Sequence, residues 1–352
     1  MTARERVRAA IVRSVAALPQ PVQSALAGRP VVIDGQRLDP EVQLLMRLSG
    51  GGSSAPYSSA AEARTARASD AAVFRGEVFS VERVEELTIP GPEGPIAARL
   101  YVPEGGGENR PLLVYLHGGG WVVCDLDTHD NLCRFLAREA GALVLSLDYR
   151  LAPEHPFPAA VDDAVAAFRF AVEQATELHA DPRAVAIGGD SAGGNLAAVV
   201  SHLAVSDGGP VPAFTLSLYP VTDLSVKRAS YRLFREGFLL TEQHMDWYRS
   251  HYLPDDLAAE DPRASPLLAE DLSGLPPTYI ATAGFDPLRD EGEEYAHRLR
   301  EAGVPVALKR HQGLIHGFAN AVGSTRFGRL AMQEAAGALR AGLATRLGSR
   351  AL

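Results

Sequence analysis

The sequence predicts a three-layer α/β fold built on a mostly parallel β-sheet. From about residue 80 onward, short apolar segments alternate with longer segments of helical periodicity. The central apolar segments are almost continuously hydrophobic, as expected for parallel strands that helices cover on both faces. The first two alternate apolar and polar residues, which indicates an antiparallel hairpin. These three observations predict an eight-stranded, mostly parallel sheet flanked by helices.

Eight strands and five helices are assigned to this part of the chain. The strands are expected at 81–89, 96–102, 112–116, 142–148, 184–188, 213–218, 278–283 and 304–310. The helices are expected near 129–140, 157–176, 191–206, 287–302 and 324–347.

Two segments lie outside this alternation. Residues 1–48 have helical periodicity cut by prolines, and we expect no strands among them. A Gly- and Ser-rich connection over 49–59 leads to an Ala-rich helix at 60–72. Residues 222–254 separate two strands and are rich in aromatic residues, which predicts a lid or a satellite helix pair.

Composition excludes several classes of protein. The chain has 352 residues, of which 46% are hydrophobic, so it forms a globular core. Its net charge of −9 argues against nucleic-acid binding. The first 37 residues carry six arginines against two acidic residues, which allows weak contact with an acidic membrane surface or simply marks a helix.

Cysteine content and hydropathy bear on location. Two cysteines, Cys124 and Cys133, are too few for a disulfide scaffold and fit a reducing compartment. No apolar run approaches the roughly 20 residues of a membrane span. We therefore expect a cytoplasmic protein without stable membrane insertion. Because no metal-ligand motif or dinucleotide fingerprint is present, no metal or other cofactor is expected.

The strongest local signal is the pentapeptide Gly189-Asp190-Ser191-Ala192-Gly193, which has the pattern G-x-S-x-G. It follows a predicted strand and opens a predicted helix. In that context the glycines permit a strained turn that projects the serine hydroxyl from the edge of the sheet. The alternative is an ordinary capping serine. The strand-turn-helix context favours a nucleophile.

A second signal is the run His117-Gly118-Gly119-Gly120-Trp121, which directly follows another predicted strand. Consecutive glycines expose backbone N–H groups that can stabilise an oxyanion. A phosphate-binding loop is the alternative, but no P-loop or dinucleotide pattern accompanies it.

A serine nucleophile needs a base, and ten histidines compete for that role. His316 is favoured because it follows the last predicted strand in a short loop flanked by glycines. His311, at the end of that strand, is the closest rival. His117 is interpreted as a loop-organising residue, and His297 lies within a charged helix.

Asp286 is the favoured acid, because it follows the strand at 278–283 and would lie at the same sheet edge. Its position before a proline also suits a helix cap. The order Ser191, Asp286, His316 is the serine, acid, histidine order that favours the catalytic interpretation. Asp290 and Glu291 are the reserve candidates.

Five ordered motifs resemble a known family, the bacterial hormone-sensitive-lipase-like carboxylesterases of the α/β-hydrolase superfamily. The resemblance covers roughly residues 80–320. The motifs are HGGGW at 117–121, DYRLAPEHPFPAA at 148–160, GDSAGG at 189–194, DPLRDEG at 286–292 and GLIHGF at 313–318.

The resemblance implies that Ser191 is the nucleophile, that His316 is the general base and acid, and that Asp286 orients the histidine. It also implies an oxyanion hole formed by the N–H groups of three further residues. Those three are Gly119, Gly120 and Ala192.

The family also implies a helical cap over the hydrolase core. We expect the cap to consist of residues 1–75 and the insertion 222–254, and the core to span 76–221 and 255–352. The resemblance further suggests that members pair through the edge strand at 304–310. The expected substrate pocket consists of Trp121, Asp190, Phe238 and Leu239. The alternative for Phe238 and Leu239 is a place in the apolar core of the cap.

The implied function is hydrolysis of short- to medium-chain acyl esters, with a small-molecule ester as substrate. An amidase or formamidase using the same triad is the alternative enzyme, because both reactions share the acyl-enzyme step. A non-catalytic, small-ligand-binding relative is the alternative outside enzymes. The presence of His316 argues against it.

Overall fold

The computed structural model describes residues 1–49, 57–105 and 107–348. Ten strands lie within them. In chain order they are β1 (Val32–Ile33), β2 (Gln36–Arg37), β3 (Arg83–Gly91), β4 (Gly94–Val102), β5 (Arg110–Leu116), β6 (Leu143–Leu147), β7 (Ala180–Asp190), β8 (Thr215–Leu218), β9 (Thr278–Phe285) and β10 (Val306–Ile315).

Helices surround the strands. The α-helices are α1 (Ala3–Ala17), α2 (Gln20–Ala27), α3 (Pro40–Leu48), α4 (Ala60–Phe74), α5 (Leu126–Ala140), α6 (Ala159–Glu173), α7 (Ala192–Ser206), α8 (Ala229–Leu233), α9 (Glu242–Tyr252), α10 (Arg289–Glu301) and α11 (Arg326–Gly348). Short 3₁₀ helices occur at Leu257–Glu260, Pro266–Leu268 and Phe318–Ala321.

Eight of the strands form one sheet in the order β10-β9-β8-β7-β5-β6-β4-β3. Strand β4 runs antiparallel to both β3 and β6, whereas every other neighbouring pair is parallel. Every residue of β6, β8 and β9 is buried, because helices cover both faces of the sheet. The predicted α/β-hydrolase architecture is confirmed.

The N-terminal segment contains a hairpin that we did not expect. Strands β1 and β2 pair antiparallel, Val32 with Arg37 and Ile33 with Gln36. The turn between them has positive φ at both central residues, 53° at Asp34 and 70° at Gly35. An Asp-Gly pair between short strands is the usual signature of this turn, so the sequence did carry the signal.

Strand β10 is longer than predicted. It continues to Ile315, with a change of register against β9 between His311 and Ile315. The residues before His316 are therefore held in the sheet rather than in a glycine-flanked loop. Most of the connection expected at 49–59 lies outside the described residues.

Several contacts join the first 75 residues to the sheet domain. Arg64 on α4 donates to the carbonyl oxygen of Val122 at 2.9 Å and pairs with Glu154 at 2.6 Å. Arg326 on α11 donates to Gln23 on α2 at 2.8 Å. These bonds fix α2 and α4 against the sheet domain.

The 222–254 insertion is fixed by aromatic packing. The ring of Tyr252 on α9 stacks on Trp121, with centroids 4.1 Å apart and planes within 3° of parallel. No helix in the described part of the chain is both long and apolar enough to cross a bilayer.

Candidate active site

Ser191 lies in a strained turn between β7 and α7. Its φ of 55° and ψ of −118° are unusual for a residue with a side chain. The turn is held by the Ser191 N–H, which donates to the carbonyl oxygen of Leu218 at 2.8 Å. A Cβ at Gly189 or Gly193 would overlap the carbonyl oxygen of Leu116. Glycine is therefore required on both sides of the serine.

His316 connects Ser191 to Asp286. Its Nε2 lies 2.9 Å from the Ser191 hydroxyl oxygen, and its Nδ1 lies 2.7 Å from Asp286 Oδ2. The ring also packs edge-on against Tyr219, with centroids 4.7 Å apart. His316 is 9% exposed and Asp286 is fully buried. The structure thus brings together the three side chains that the sequence analysis selected.

Asp286 makes both interactions that the sequence analysis set against each other. One carboxylate oxygen contacts His316, while the other accepts the N–H of Leu288 at 2.9 Å. The helix-cap interpretation and the histidine-orienting interpretation therefore describe the same side chain.

The other two candidate acids, Asp290 and Glu291, accept hydrogen bonds from a different segment. Asp290 accepts the N–H of Ser230 at 2.8 Å, and Glu291 accepts the N–H of Thr222 at 2.9 Å. Both bonds connect the start of α10 to the 222–254 insertion.

The rival histidines lie elsewhere. His311 packs against Phe318 in the edge strand, with ring centroids 5.1 Å apart, and burial lowers its pKa to about 4. His117 stacks on Tyr149, with centroids 4.3 Å apart, and its Nδ1 donates to the carbonyl oxygen of Gly118 at 2.7 Å. Burial lowers the pKa of His117 to about 4 as well, so this ring is neutral at pH 7. His297 is exposed.

The glycine run forms a tight loop beside Ser191. Gly119 and Gly120 have φ values of 119° and 58°, which favour glycine. The Gly119 carbonyl accepts the N–H groups of Val122 and Val123 at 3.1 and 3.0 Å, which closes the loop. No described residue accepts the N–H of Gly119, Gly120 or Ala192. These three donors are available to a bound oxyanion.

The buried carboxylate of Asp190 holds this loop in place through a hydrogen bond to its backbone. Its carboxylate accepts the Tyr115 hydroxyl at 2.8 Å and the Gly118 N–H at 3.0 Å, and it lies 3.2 Å from His129 Nε2. Burial raises the pKa of Asp190, but nearby His129 and the bonds from Tyr115 and Gly118 outweigh it, so the net pKa is lowered.

A cavity of about 200 Å³ opens at Ser191. Three of the four expected pocket residues line it. Leu239 lines the cavity and is 43% exposed. Trp121 borders it, but its side chain is fully buried beneath Tyr252. Asp190 borders it from beneath the glycine loop.

Phe238, by contrast, is absent from the lining of this cavity. Its ring centroid lies 5.7 Å from that of Phe234 and 5.2 Å from that of Phe285. It forms part of an apolar cluster behind the pocket.

The sequence analysis missed four polar residues in the lining of the cavity. They are Tyr57, Arg67, His244 and Tyr248, from the N-terminal segment and from α9. No motif marks these residues, because they meet only when the two segments pack together. Among the described residues, no cluster of His, Cys, Asp and Glu is arranged to hold a metal ion.

Comparisons with known proteins agree with this geometry. A family model described as the alpha/beta hydrolase fold matches residues 113–320. The chain belongs to the α/β-hydrolase family, and within it to the hormone-sensitive-lipase-like group of ester hydrolases.

Relatives in this group are named as esterases. The chain is 52% identical over 313 residues to the carboxylic ester hydrolase LipN of Mycobacterium tuberculosis, covering 86% of this chain and 83% of LipN. It is 39% identical over 264 residues to an ethyl acetate hydrolase of Pseudomonas putida, covering 73% of this chain and 82% of that hydrolase.

A solved structure is similar throughout the fold. It is an ester hydrolase from the metagenome of Lake Arreo, in complex with a derivative of bipyridine phosphonate. The TM-score is 0.81 and the sequence identity is 42%, over 85% of this chain and 96% of that one.

Proposed function

We propose that this chain hydrolyses carboxylic esters of short to medium acyl chain length through an acyl-enzyme formed on Ser191. The observation that carries the proposal is the continuous hydrogen-bonded line from the Ser191 hydroxyl through His316 to Asp286, with separations of 2.9 and 2.7 Å. A small-molecule ester is the substrate, in keeping with the named activities of the relatives.

The reaction begins when Ser191 Oγ attacks the ester carbonyl and His316 Nε2 accepts the hydroxyl proton. Asp286 keeps a proton on His316 Nδ1, so that Nε2 faces the serine as an acceptor. The tetrahedral intermediate collapses to an acyl-serine, and His316 returns the proton to the departing alkoxide. Water then attacks the acyl-serine with His316 again as base, which releases the acid and restores Ser191.

The developing negative charge is stabilised by the N–H groups of Gly119, Gly120 and Ala192. Their unpaired state and the glycine-only φ values of the loop support this role. In serine hydrolases the loss of one such donor costs about 3–4 kcal/mol of transition-state stabilisation.

We also propose a division into cap and core. Residues 1–75 and 222–254 form the cap, and residues 76–221 and 255–352 form the hydrolase core. The positions of Tyr57, Leu239 and Tyr248 in the cavity wall support a cap over Ser191. The modest cavity size supports short to medium acyl chains.

The direct test is initial rates on 4-nitrophenyl esters from acetate to laurate. Wild-type activity should be greatest on short to medium chains, and Ser191→Ala and His316→Ala should each abolish it while the variants stay folded. His311→Ala is the matched control, because its ring lies in the edge strand, and it should retain activity. Rates that the Ser191 and His316 changes leave untouched would refute the serine mechanism.

Association and location form the last part of the proposal. A homodimer through β10 is supported by its position at the edge of the sheet. Weak contact with acidic membranes is supported by exposed Val7 and Ile11 between the arginines of α1. A cytoplasmic location is supported by two free cysteines. Light scattering tests the homodimer, and liposome cosedimentation tests the membrane contact. Subcellular fractionation tests the cytoplasmic location.

A further inference from the structure

The cavity that contains Ser191 also contains a cation. Arg67, on the inner side of α4, lines the same cavity as Ser191 and His316. Its side chain is 28% exposed. A guanidinium stays protonated at any physiological pH, so this wall carries a permanent positive charge. Nothing in the proposed ester hydrolysis uses it.

The guanidinium is only partly satisfied. Its hydrogen bonds within the described part of the chain are made by Nη2, which donates to the Tyr57 hydroxyl at 2.5 Å and pairs with Asp70 at 3.1 Å. Arg67 Nε is buried and has no partner among the described residues. An arginine has five N–H donors in a planar fork that suits carboxylates. Arg67 therefore retains donor capacity.

The carboxylate paired with Arg67 is shared with a second arginine. Asp70, which also lines the cavity, is shared between two arginines, with 2.9 Å to Arg8 and 3.1 Å to Arg67. The cluster of Arg8, Asp70 and Arg67 therefore carries a net charge of +1, with Arg8 outside the lining of the cavity. Asp190, the other acidic residue in the lining, is already engaged by Tyr115 and Gly118 beneath the loop.

The rest of the cavity is suited to a carbon chain. Apolar lining residues include Ala71, Phe74, Leu239 and Phe327. An ester that fits this site therefore combines an apolar chain with an anionic group that reaches Arg67.

We propose that Arg67 binds a carboxylate carried by the ester substrate, so that the preferred substrates are hemi-esters of dicarboxylic acids or esters with an equally placed acid group. This inference rests on the proposed ester hydrolysis at Ser191 and names its substrate class. Arg67 is a specificity-determining residue in this reaction and takes no part in bond making.

The test compares kcat/KM for matched anionic and neutral esters. On the acyl side, mono-4-nitrophenyl adipate, pimelate and suberate are paired with 4-nitrophenyl hexanoate, heptanoate and octanoate. These acids are long enough to limit attack of the free carboxylate on its own ester. On the alcohol side, 3-carboxyphenyl butyrate is paired with phenyl butyrate. The proteins are wild type, Arg67→Gln, Arg67→Lys and the control Arg13→Gln, which changes an exposed arginine of α1.

In at least one pair, we expect wild type to prefer the anionic ester and Arg67→Gln to lower the anionic-to-neutral ratio at least about tenfold. Arg67→Lys should retain part of the preference, and Arg13→Gln should retain all of it. Arg13→Gln should also match wild type in its rates on neutral esters and in its thermal midpoint. Because the anionic-to-neutral ratio is taken within each protein, a uniform loss of active enzyme through misfolding leaves it unchanged, whereas lost recognition lowers it.

An equal ratio in wild type and Arg67→Gln for every pair, or a wild-type preference for the neutral esters throughout, would overturn the inference while leaving ester hydrolysis intact. Absence of wild-type activity on both kinds of ester would instead remove the proposed function, and this inference with it.

Discussion

The carboxylate of Asp190 accepts the backbone N–H of Gly118 at 3.0 Å and so ties the residue before Ser191 to the glycine loop beside it. The proposed nucleophile Ser191 follows β7, whereas the proposed oxyanion donors Gly119 and Gly120 follow β5. This buried hydrogen bond sets their relative position. Asp190 is therefore a positioning residue for two parts of the site at once.

Asp190→Ala should lower both stability and activity. The change leaves the Tyr115 hydroxyl and the Gly118 N–H without their acceptor, at about 1–3 kcal/mol each. Asp190→Asn keeps an oxygen acceptor and should cost less. Urea unfolding and kcat/KM on a short ester measure the two effects. Unchanged activity in Asp190→Ala would show that the loop holds its position without this carboxylate.

Asp286→Asn should separate the two roles of this side chain. Asparagine can still accept the Leu288 N–H, so the thermal midpoint should shift little. Its amide cannot replace the charge that orients and stabilises His316, and kcat should fall by about 10⁴-fold, as for the equivalent change in a serine-protease triad. A large fall in stability with modest loss of activity would instead identify Asp286 mainly as a helix cap.

Gly120→Ala should destabilise the protein through a clash with Tyr248 on α9. The new methyl group would overlap the ring of Tyr248, and the residue would have to keep φ near 58°. The strain in φ alone costs about 1–2 kcal/mol. Because the clash involves one side chain, Tyr248→Ala should partly rescue stability in the double variant. A double-mutant cycle on the free energy of unfolding checks this, and strict additivity would contradict it.

Leu239 and Phe238 should behave differently despite being neighbours. Leu239 lines the cavity, so Leu239→Ala should shift the acyl-chain optimum toward longer esters with little change in stability. Phe238 packs against Phe234 and Phe285, so Phe238→Ala should lower the free energy of unfolding by about 3–5 kcal/mol and leave chain-length preference unchanged. Rates across the 4-nitrophenyl ester series, with urea titrations, distinguish them. A shifted optimum in Phe238→Ala would place that ring in the pocket.

Glu291 should make stability depend on pH. Burial raises the pKa of this carboxyl well above its ordinary value of 4.5. A raised folded-state pKa means that the folded protein holds the proton more tightly. Its contribution to stability is therefore complete below about pH 4.5 and is lost as the pH rises through the folded-state pKa. Glu291→Gln removes the titrating group but keeps an acceptor for the Thr222 N–H.

The measurement for Glu291 is urea unfolding between pH 5 and pH 8. Wild type should lose stability relative to Glu291→Gln across this range, because deprotonation in the buried site is costly. Glu293→Gln is a less deeply buried control on the same helix. Parallel pH profiles for wild type and Glu291→Gln would show that Glu291 stays in one protonation state throughout.

The sequence alone was sufficient to predict the strands of the main sheet and to select the three side chains that meet at its edge. Local periodicity identified all eight strands of the main sheet. Burial on both faces imposes continuous hydrophobic residues along the central strands, and the first two strands show the alternation of a half-buried hairpin. Ser191, Asp286 and His316 could be selected because each follows a strand of a parallel sheet, and such strands end at one edge. The Asp34-Gly35 hairpin was also encoded locally, although we did not assign it.

The tertiary structure alone decided which residues line the cavity at Ser191. The cavity wall joins Arg67 from α4, Leu239 from the insertion and Phe327 from α11, and no periodicity records how such separate segments pack. Packing also decided that Leu239 faces the cavity while Phe238 turns away from it. The chemistry of the site depends on short motifs with local geometry, whereas its specificity depends on long-range contacts between side chains far apart in the chain.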